Sequence, residues 1–212
     1  MRTGEVFALT WNDIDFENKT IRVTKNVYYK RKNKKGRWYL GTTKTESSSR
    51  TIYMCDTLCN LLKNYSEEQE NNRKTYNDKY KYYNLEQIKN KHGKLIEYQV
   101  VESKKSKNNT SMVFVKNNGT YSGTDITKYP YKIIHHELGI NCRFYDLRGS
   151  FATTTLRSGV EIKDISKVLG HSKIETTENY YITSTIDTLK NVSESFEKEI
   201  DLEIISRNII DD

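Results

Sequence analysis

Apolar positions recur along this chain in two rhythms, one with the period of a strand and one with that of a helix. Between Thr3 and Trp11, the residues Val6, Phe7, Leu9 and Trp11 predict the end of a helix, followed by a polar break at Asn12-Asp13-Ile14-Asp15. Thr20 to Tyr29 alternates through Ile21, Val23 and Val27 and predicts a strand. The basic run Lys30 to Lys35 ends at Gly36, as a hairpin tip would. Arg37 to Leu40 and Arg50 to Met54 predict two more strands, with a turn over Lys44 to Ser49. This part of the chain reads as a small antiparallel sheet.

Helical spacing takes over at Asp56, where Asp56 or Thr57 is placed to cap. Leu58, Leu61, Leu62 and Tyr65 make the apolar face, and a polar Lys/Asn/Tyr mixture extends this helix to about Tyr83. Leu95 to Val101 and Ser111 to Val115 predict strands, separated by a loose polar stretch from Ser103 to Asn109. Helices are expected over Thr124 to Leu138, which holds the only proline, Pro130, then over Asp146 to Ser158 and Glu161 to Leu169. Thr176 to Tyr181 and Ser184 to Ser195 follow in the same rhythm. Gly159 and Gly170 stand where helix C-caps fall. The expected fold class is α+β, mainly α: a helical domain with a small antiparallel β-sheet.

Composition narrows the class. The 212 residues can bury a substantial core, while 30% charged against 35% hydrophobic residues implies a large solvated surface. No apolar run approaches the roughly 20 residues that cross a bilayer. The start of the chain, with Arg2 and Glu5, lacks the apolar core of a secretory signal, so the expected compartment is the cytoplasm. Cys55, Cys59 and Cys142 are an odd set without CxxC spacing and read as reduced thiols. Cys55 and Cys59 lie one helical turn apart but have no second ligand pair nearby, so packing is favoured over a metal. The net charge of +7 is uneven: Ile182 to Asp212 carries three basic and eight acidic residues, leaving 32 basic against 20 acidic before it. A basic body suits a polyanion, nucleic acid ahead of a membrane surface.

The candidate chemistry lies in Gly170-His171-Ser172-Lys173-Ile174-Glu175-Thr176-Thr177-Glu178-Asn179-Tyr180-Tyr181, which places a histidine nine positions before a tyrosine. Tyr145-Asp146-Leu147-Arg148 precedes it. Together with Arg2 and Lys44 these supply two guanidiniums, an ammonium, an imidazole and a phenol, a set able to bind a phosphodiester and attack it. A phenol, with a pKa of about 10, is a poor nucleophile near neutrality unless cations surround it.

These residues carry a family resemblance. Tyr145-Asp146-Leu147-Arg148-Gly149-Ser150-Phe151-Ala152-Thr153 resembles the tyrosine recombinase (phage integrase) text His-x-Leu-Arg-His-x-Phe-Ala-Thr. Leu169-Gly170-His171 and Thr176-Thr177-x-x-Tyr180 resemble its Leu-Gly-His and nucleophile segments. Arg2-Thr3-Gly4-Glu5, followed by Leu9-Thr10-Trp11-x-Asp13-Ile14, resembles the segment of the first catalytic arginine. Lys44, ahead of Arg50-Thr51-Ile52, sits where the family places a hairpin lysine. The four segments occur in family order, and the text is most similar to integrases of phages and conjugative transposons of Gram-positive bacteria.

The resemblance implies the catalytic fold of these DNA breaking and rejoining enzymes, and roles residue by residue. Arg2 and Arg148 would present donor forks to the nonbridging oxygens of the scissile phosphate. Lys44, rather than Lys34 or Lys35, would protonate the departing 5′ oxygen. His171 would donate to a phosphate oxygen, and His92, His135 and His136 would take no part. Tyr180, ahead of its neighbour Tyr181, would form a 3′-phosphotyrosyl link. Glu5 would orient the cations. Neither ATP nor a metal is implied. Arg2, Lys44, Arg148 and His171 would then also be the DNA-contacting residues, the partner being double-stranded DNA attachment sites. A full-length protein would act as a tetramer on DNA, with excision or bending accessory proteins and no membrane.

Two departures shape the expectation. Tyr145 stands where histidine is usual, and a phenol is a weaker base, so a slower or differently supported reaction is expected; Gly149 also replaces a common histidine. The family carries core-binding and arm-binding domains ahead of its first arginine, whereas this chain opens at Met1-Arg2. Residues 1–183 are therefore expected to be a catalytic domain without its DNA clamp, weak and salt-dependent in binding. Residues 184–212 would form a tail whose Val192, Phe196, Ile200, Ile204 and Ile205 dock on a neighbouring protomer or on their own domain. Two rivals remain open: a degenerate remnant that binds DNA or caps an assembly without chemistry, and a type IB topoisomerase.

Overall fold

The computed structural model describes residues 1–32, 35–42 and 49–171. In chain order the α-helices are α1 (Thr3–Val6), α2 (Asp56–Tyr76), α3 (Lys128–His136), α4 (Asp146–Arg157) and α5 (Ile162–Leu169). The strands are β1 (Ile14–Asp15), β2 (Thr20–Val23), β3 (Lys25–Lys32), β4 (Lys35–Thr42), β5 (Arg50–Tyr53), β6 (Tyr82–Lys89) and β7 (Leu95–Ser103). The α+β class holds, and the expected single sheet is two antiparallel sheets, ordered β1-β2-β5 and β3-β4-β7-β6.

The stretch expected as one strand over Thr20 to Tyr29 is divided. Its first half pairs Ile21 with Ile52 of β5, and its second pairs Val27 with Leu40 of β4. The alternation of Ile21, Val23 and Val27 is unbroken because Lys25 takes the inward position between them. Lys25 Nζ reaches both carboxylate oxygens of Asp13 at 2.7 Å. Asp13 Oδ2 also accepts from the backbone N–H (2.8 Å) and hydroxyl (2.7 Å) of Thr10, so the polar break is a buried, fully bonded corner. A period of two reports which face is buried and not which strand is the neighbour, so the change of sheet leaves no trace in the pattern. The hairpin expected over the basic run ending at Gly36 forms: β3 and β4 pair antiparallel as far as Lys32 with Lys35, and Gly36 lies in β4 opposite Arg31.

α2 ends earlier than its pattern suggested. Asn77 closes it at φ +42° and ψ −116°, outside the helical region, and β6 follows from Tyr82. Its N-cap is Cys55, not Asp56 or Thr57. Its buried residues are Cys59, Leu62 and Gln69, whereas Leu58 and Leu61 are exposed. A second correction lies beside Gln69. Ser111 to Val115 forms only a single antiparallel bridge, Met112 with Thr10, where Val113 N–H donates to Leu9 O (3.0 Å); Gln69 Nε2 donates to the carbonyls of Met112 (3.3 Å) and Val113 (3.1 Å). One side chain supplies what a neighbouring strand would otherwise have given.

Two apolar clusters sit beneath the sheets. Leu9, Ile14, Ile21, Val23, Met54, Cys59, Leu62 and Val113 form one. Phe7, Ala8, Val27, Leu40, Val100, Met112 and Tyr121 form the other. The short α1 is contiguous with both through Phe7, Ala8 and Leu9, which fixes the backbone beside Arg2 and Glu5. Helices α3, α4 and α5 follow nearly as expected, and Gly159 and Gly170 are both left-handed, at φ +83° and +68°.

Candidate active site

The end of α5 sets the geometry. Gly170 N–H donates to Lys167 O (3.0 Å) and His171 N–H to Ser166 O (3.1 Å), which closes the helix in a Schellman motif. The next carbonyls, of Val168, Leu169 and Gly170, are left to find donors elsewhere. Three arginines from three parts of the chain take them. Arg50 Nε, at the start of β5, donates to Val168 O at 2.7 Å. Arg148 Nη2, from α4, donates to Leu169 O at 2.5 Å. Arg2 Nη2, at the N-cap of α1, donates to Gly170 O at 3.1 Å. The negative end of a helix dipole attracts cations, which offsets part of the repulsion among three guanidiniums.

Glu5 supplies the rest of the balance. Its carboxylate is 2% exposed and accepts from Arg2 N–H (2.7 Å), Arg2 Nη1 (2.8 Å), Arg50 Nη1 (3.3 Å) and Arg50 Nη2 (2.9 Å). Burial alone would raise its pKa, but the hydrogen bonds from Arg50 and Arg2 outweigh that and hold it below the usual carboxylate value. Glu5 is therefore ionised, one negative charge among three positive ones.

Arg148 is 6% exposed, and burial, then the charge of Arg2, pulls its pKa below the ordinary guanidinium value. It remains a cation at neutral pH. Among the described residues its Nη1 is buried without a hydrogen-bond acceptor. Leaving such a donor unsatisfied costs about 1–3 kcal/mol or more, which an incoming anionic oxygen would remove.

His171 follows the capping glycine. Burial, then Arg148, Arg2 and Arg50, lowers its pKa to about 4. At neutral pH its ring is uncharged, with one N–H donor and one acceptor nitrogen. Tyr145 occupies the N-cap of α4, 37% exposed and near enough to act on the charge of Arg148.

Arg2, Glu5, Arg148 and His171 thus converge, with Tyr145 beside Arg148. Lys44 and Tyr180 lie outside the described residues, as does the tail from 184 to 212. Arg50 was not among the expected site residues: the sequence marked it only as a landmark after Lys44. An arginine opening a Thr-Ile-Tyr strand was the sole signal, among 35 lysines and arginines. A separate cavity of about 1000 Å³, whose lining includes Arg73, Lys74, Tyr80, Tyr82, Lys105 and Lys107, contains none of the cluster. Among the described residues no three His, Cys, Asp or Glu side chains are grouped to hold a metal, and no helix is long and apolar enough to cross a membrane.

Comparison with known proteins gives this cluster a context. The tyrosine recombinase XerC-like protein of Caldanaerobacter subterraneus subsp. tengcongensis is 28% identical over 206 residues, covering 91% of this chain and 46% of that protein. The transposase of transposon Tn916 from Enterococcus faecalis is 26% identical over 199 residues, covering 94% and 43%. The chain thus spans less than half the length of these relatives. The Tn1549 transposon integrase, solved with transposon right-end DNA, superposes with a TM-score of 0.59 at 22% identity, over 92% of this chain and 54% of that one. The XerA recombinase crystal structure gives 0.55 at 19% identity, over 92% and 51%. Residues 1–186 match the profile of the phage integrase family. The chain belongs to the phage integrase family.

Proposed function

We propose that this chain is the catalytic part of a site-specific tyrosine recombinase, which cuts and rejoins double-stranded DNA to integrate or excise a mobile element. The observation that carries the reading is the unpartnered Arg148 Nη1, buried among Arg2, Arg50 and His171. A phosphodiester oxygen gives that donor its acceptor, and the surplus positive charge answers the negative charge that grows on the phosphate in a pentavalent transition state. Relatives described as recombinases, transposases and an integrase bound to DNA support the same reading.

In the proposed reaction Tyr180 Oη gives up its proton to solvent and attacks phosphorus. The bond to the 5′ oxygen breaks, and the Lys44 ammonium protonates that leaving oxygen. Arg2, Arg148 and the neutral His171 ring donate to the nonbridging oxygens. Because the phosphotyrosyl bond keeps the energy of the phosphodiester, rejoining draws on no nucleotide. Residues 1–183 would form this catalytic unit, with 184–212 docking in trans when several protomers meet on DNA. A tetramer and accessory bending or excision proteins belong to the same proposal.

The test is covalent capture. A pool of nicked duplexes with randomised sequence around the nick traps the cut strand, because the short product diffuses away. An adduct stable in SDS, mapped by mass spectrometry to Tyr180 and lost in Tyr180→Phe, is the expected result. DNA retention on a native gel with no Tyr180-dependent adduct would instead favour the chemically silent remnant, for which Tyr145 in the histidine position is the motivating residue.

A further inference from the structure

Arg50 does more than its place at the start of a strand requires. Its side chain is 8% exposed, and all three of its nitrogens are engaged: Nε on Val168 O at 2.7 Å, Nη1 and Nη2 on the Glu5 carboxylate at 3.3 and 2.9 Å. The first contact holds the end of α5, two residues before Gly170 and three before His171. The others hold the carboxylate that also grips Arg2 through its backbone N–H and Nη1. Gly170 lies directly over this guanidinium, where an added Cβ would come within 2.8 Å of Nη1. We infer that Arg50 is a positioning residue of the phosphate site, which fixes Arg2 through Glu5 on one side and His171 through the α5 end on the other.

Two physical consequences follow. Glu5 is shared between two guanidiniums, so Arg50 prevents the carboxylate from pairing with Arg2 alone and cancelling its charge. Arg2, Arg50 and Arg148 together with Glu5 leave two net positive charges, enough to face a phosphate whose charge rises from one toward two negative. Without Arg50 one would remain. Shape matters as well as charge. Only a planar guanidinium offers three donors in this fork, so a lysine would keep the charge and lose the bridge.

The inference rests on the proposed recombinase reading, so its test has one arm that needs no chemistry. The charged groups facing His171 are Arg148 from α4, Arg50 from β5, and Arg2 with Glu5 from α1. The ring titration of His171 is followed by NMR on the full chain, in wild type, Arg50→Gln, Arg50→Lys and Arg50→Gln/Glu5→Gln. Arg50→Gln should raise the His171 pKa by about half a unit or more. The double variant, which removes one charge of each sign, should bring it back toward wild type. A His171 titration unmoved in a folded Arg50→Gln protein would show that the Arg50 guanidinium does not face the ring, which would overturn the inference. Should Arg50→Gln not fold, Arg50→Lys decides. It should titrate like wild type at His171 yet give about tenfold less Tyr180 adduct on the nicked pool, the effect expected for misplacing a transition-state donor. Wild-type adduct yield from Arg50→Lys would overturn the inference too. Absence of any adduct from the wild type counts against the recombinase reading, and the titration arm still judges Arg50.

Discussion

Replacing Gly170 by alanine should disturb two things that can be measured apart. Its φ of +68° is left-handed, and an L side chain there costs about 1–2 kcal/mol. The new Cβ would also meet Arg50 at Nη1 (2.8 Å), Cζ (3.1 Å) and Cδ (3.2 Å). That guanidinium cannot swing away freely, because it is tied to Val168 O and Glu5. Loosening one of those charged hydrogen bonds adds about 1.5–3 kcal/mol. The sum is about 2.5–5 kcal/mol, a shift in melting temperature on the order of 10 °C for a chain of this length. Gly159 is the natural control: it too is left-handed after a helix, at φ +83°, but a Cβ there meets nothing within 4 Å. Gly159→Ala should therefore show the backbone part alone, about 1–2 kcal/mol. Urea unfolding followed by circular dichroism gives both values. Equal losses at the two glycines would refute the idea that Arg50 is rigidly held beneath Gly170.

Other perturbations have equally definite outcomes. His171 has a folded pKa of about 4 against an unfolded value of 6.5, so the unfolded chain binds the extra proton between those limits, and stability falls as pH drops through that window. Discounted for its partial exposure, the loss between pH 7 and 4.5 should be about 1–2 kcal/mol greater in wild type than in His171→Gln, by urea unfolding at each pH. Arg148→Met removes a buried, repelled charge, so it should alter stability by less than about 1 kcal/mol in either direction while abolishing the covalent adduct. Asp13→Ala strands Lys25 and the Thr10 donors in a buried corner and should cost about 3 kcal/mol, read from the urea midpoint. Raising salt from 50 to 200 mM should weaken DNA retention of the wild type on a native gel by tenfold or more, and an affinity indifferent to salt would argue against phosphate contacts.

The parts of the site that could be read from sequence are those written in short segments. Arg148 is announced by Tyr145-Asp146-Leu147, His171 by Leu169-Gly170, and Glu5 by its place one turn after Arg2. Each rests on a local helix or cap whose residues are adjacent in the chain. Arg50 could not be read this way, because its role appears only when β5 meets carbonyls 118 positions further on. The same distinction runs through the fold. The Schellman end of α5 was legible from Gly170 alone, whereas β6 was hidden in a Tyr/Asn/Lys stretch that continues helical composition past Asn77. Leu58 and Leu61 were misplaced because burial along α2 follows Cys59 and Gln69, one of them polar, and a count of leucines cannot see that Gln69 serves two backbone carbonyls.

The most direct test of the phosphate site is a crystal structure of the full chain on a duplex recovered from the covalent pool. A nonbridging oxygen of the cleaved phosphate should lie within about 3.2 Å of Arg148 Nη1, with Arg50 still bridging Glu5 and Val168 O. A phosphate bound elsewhere, with Arg148 Nη1 turned onto a protein acceptor, would contradict the assignment.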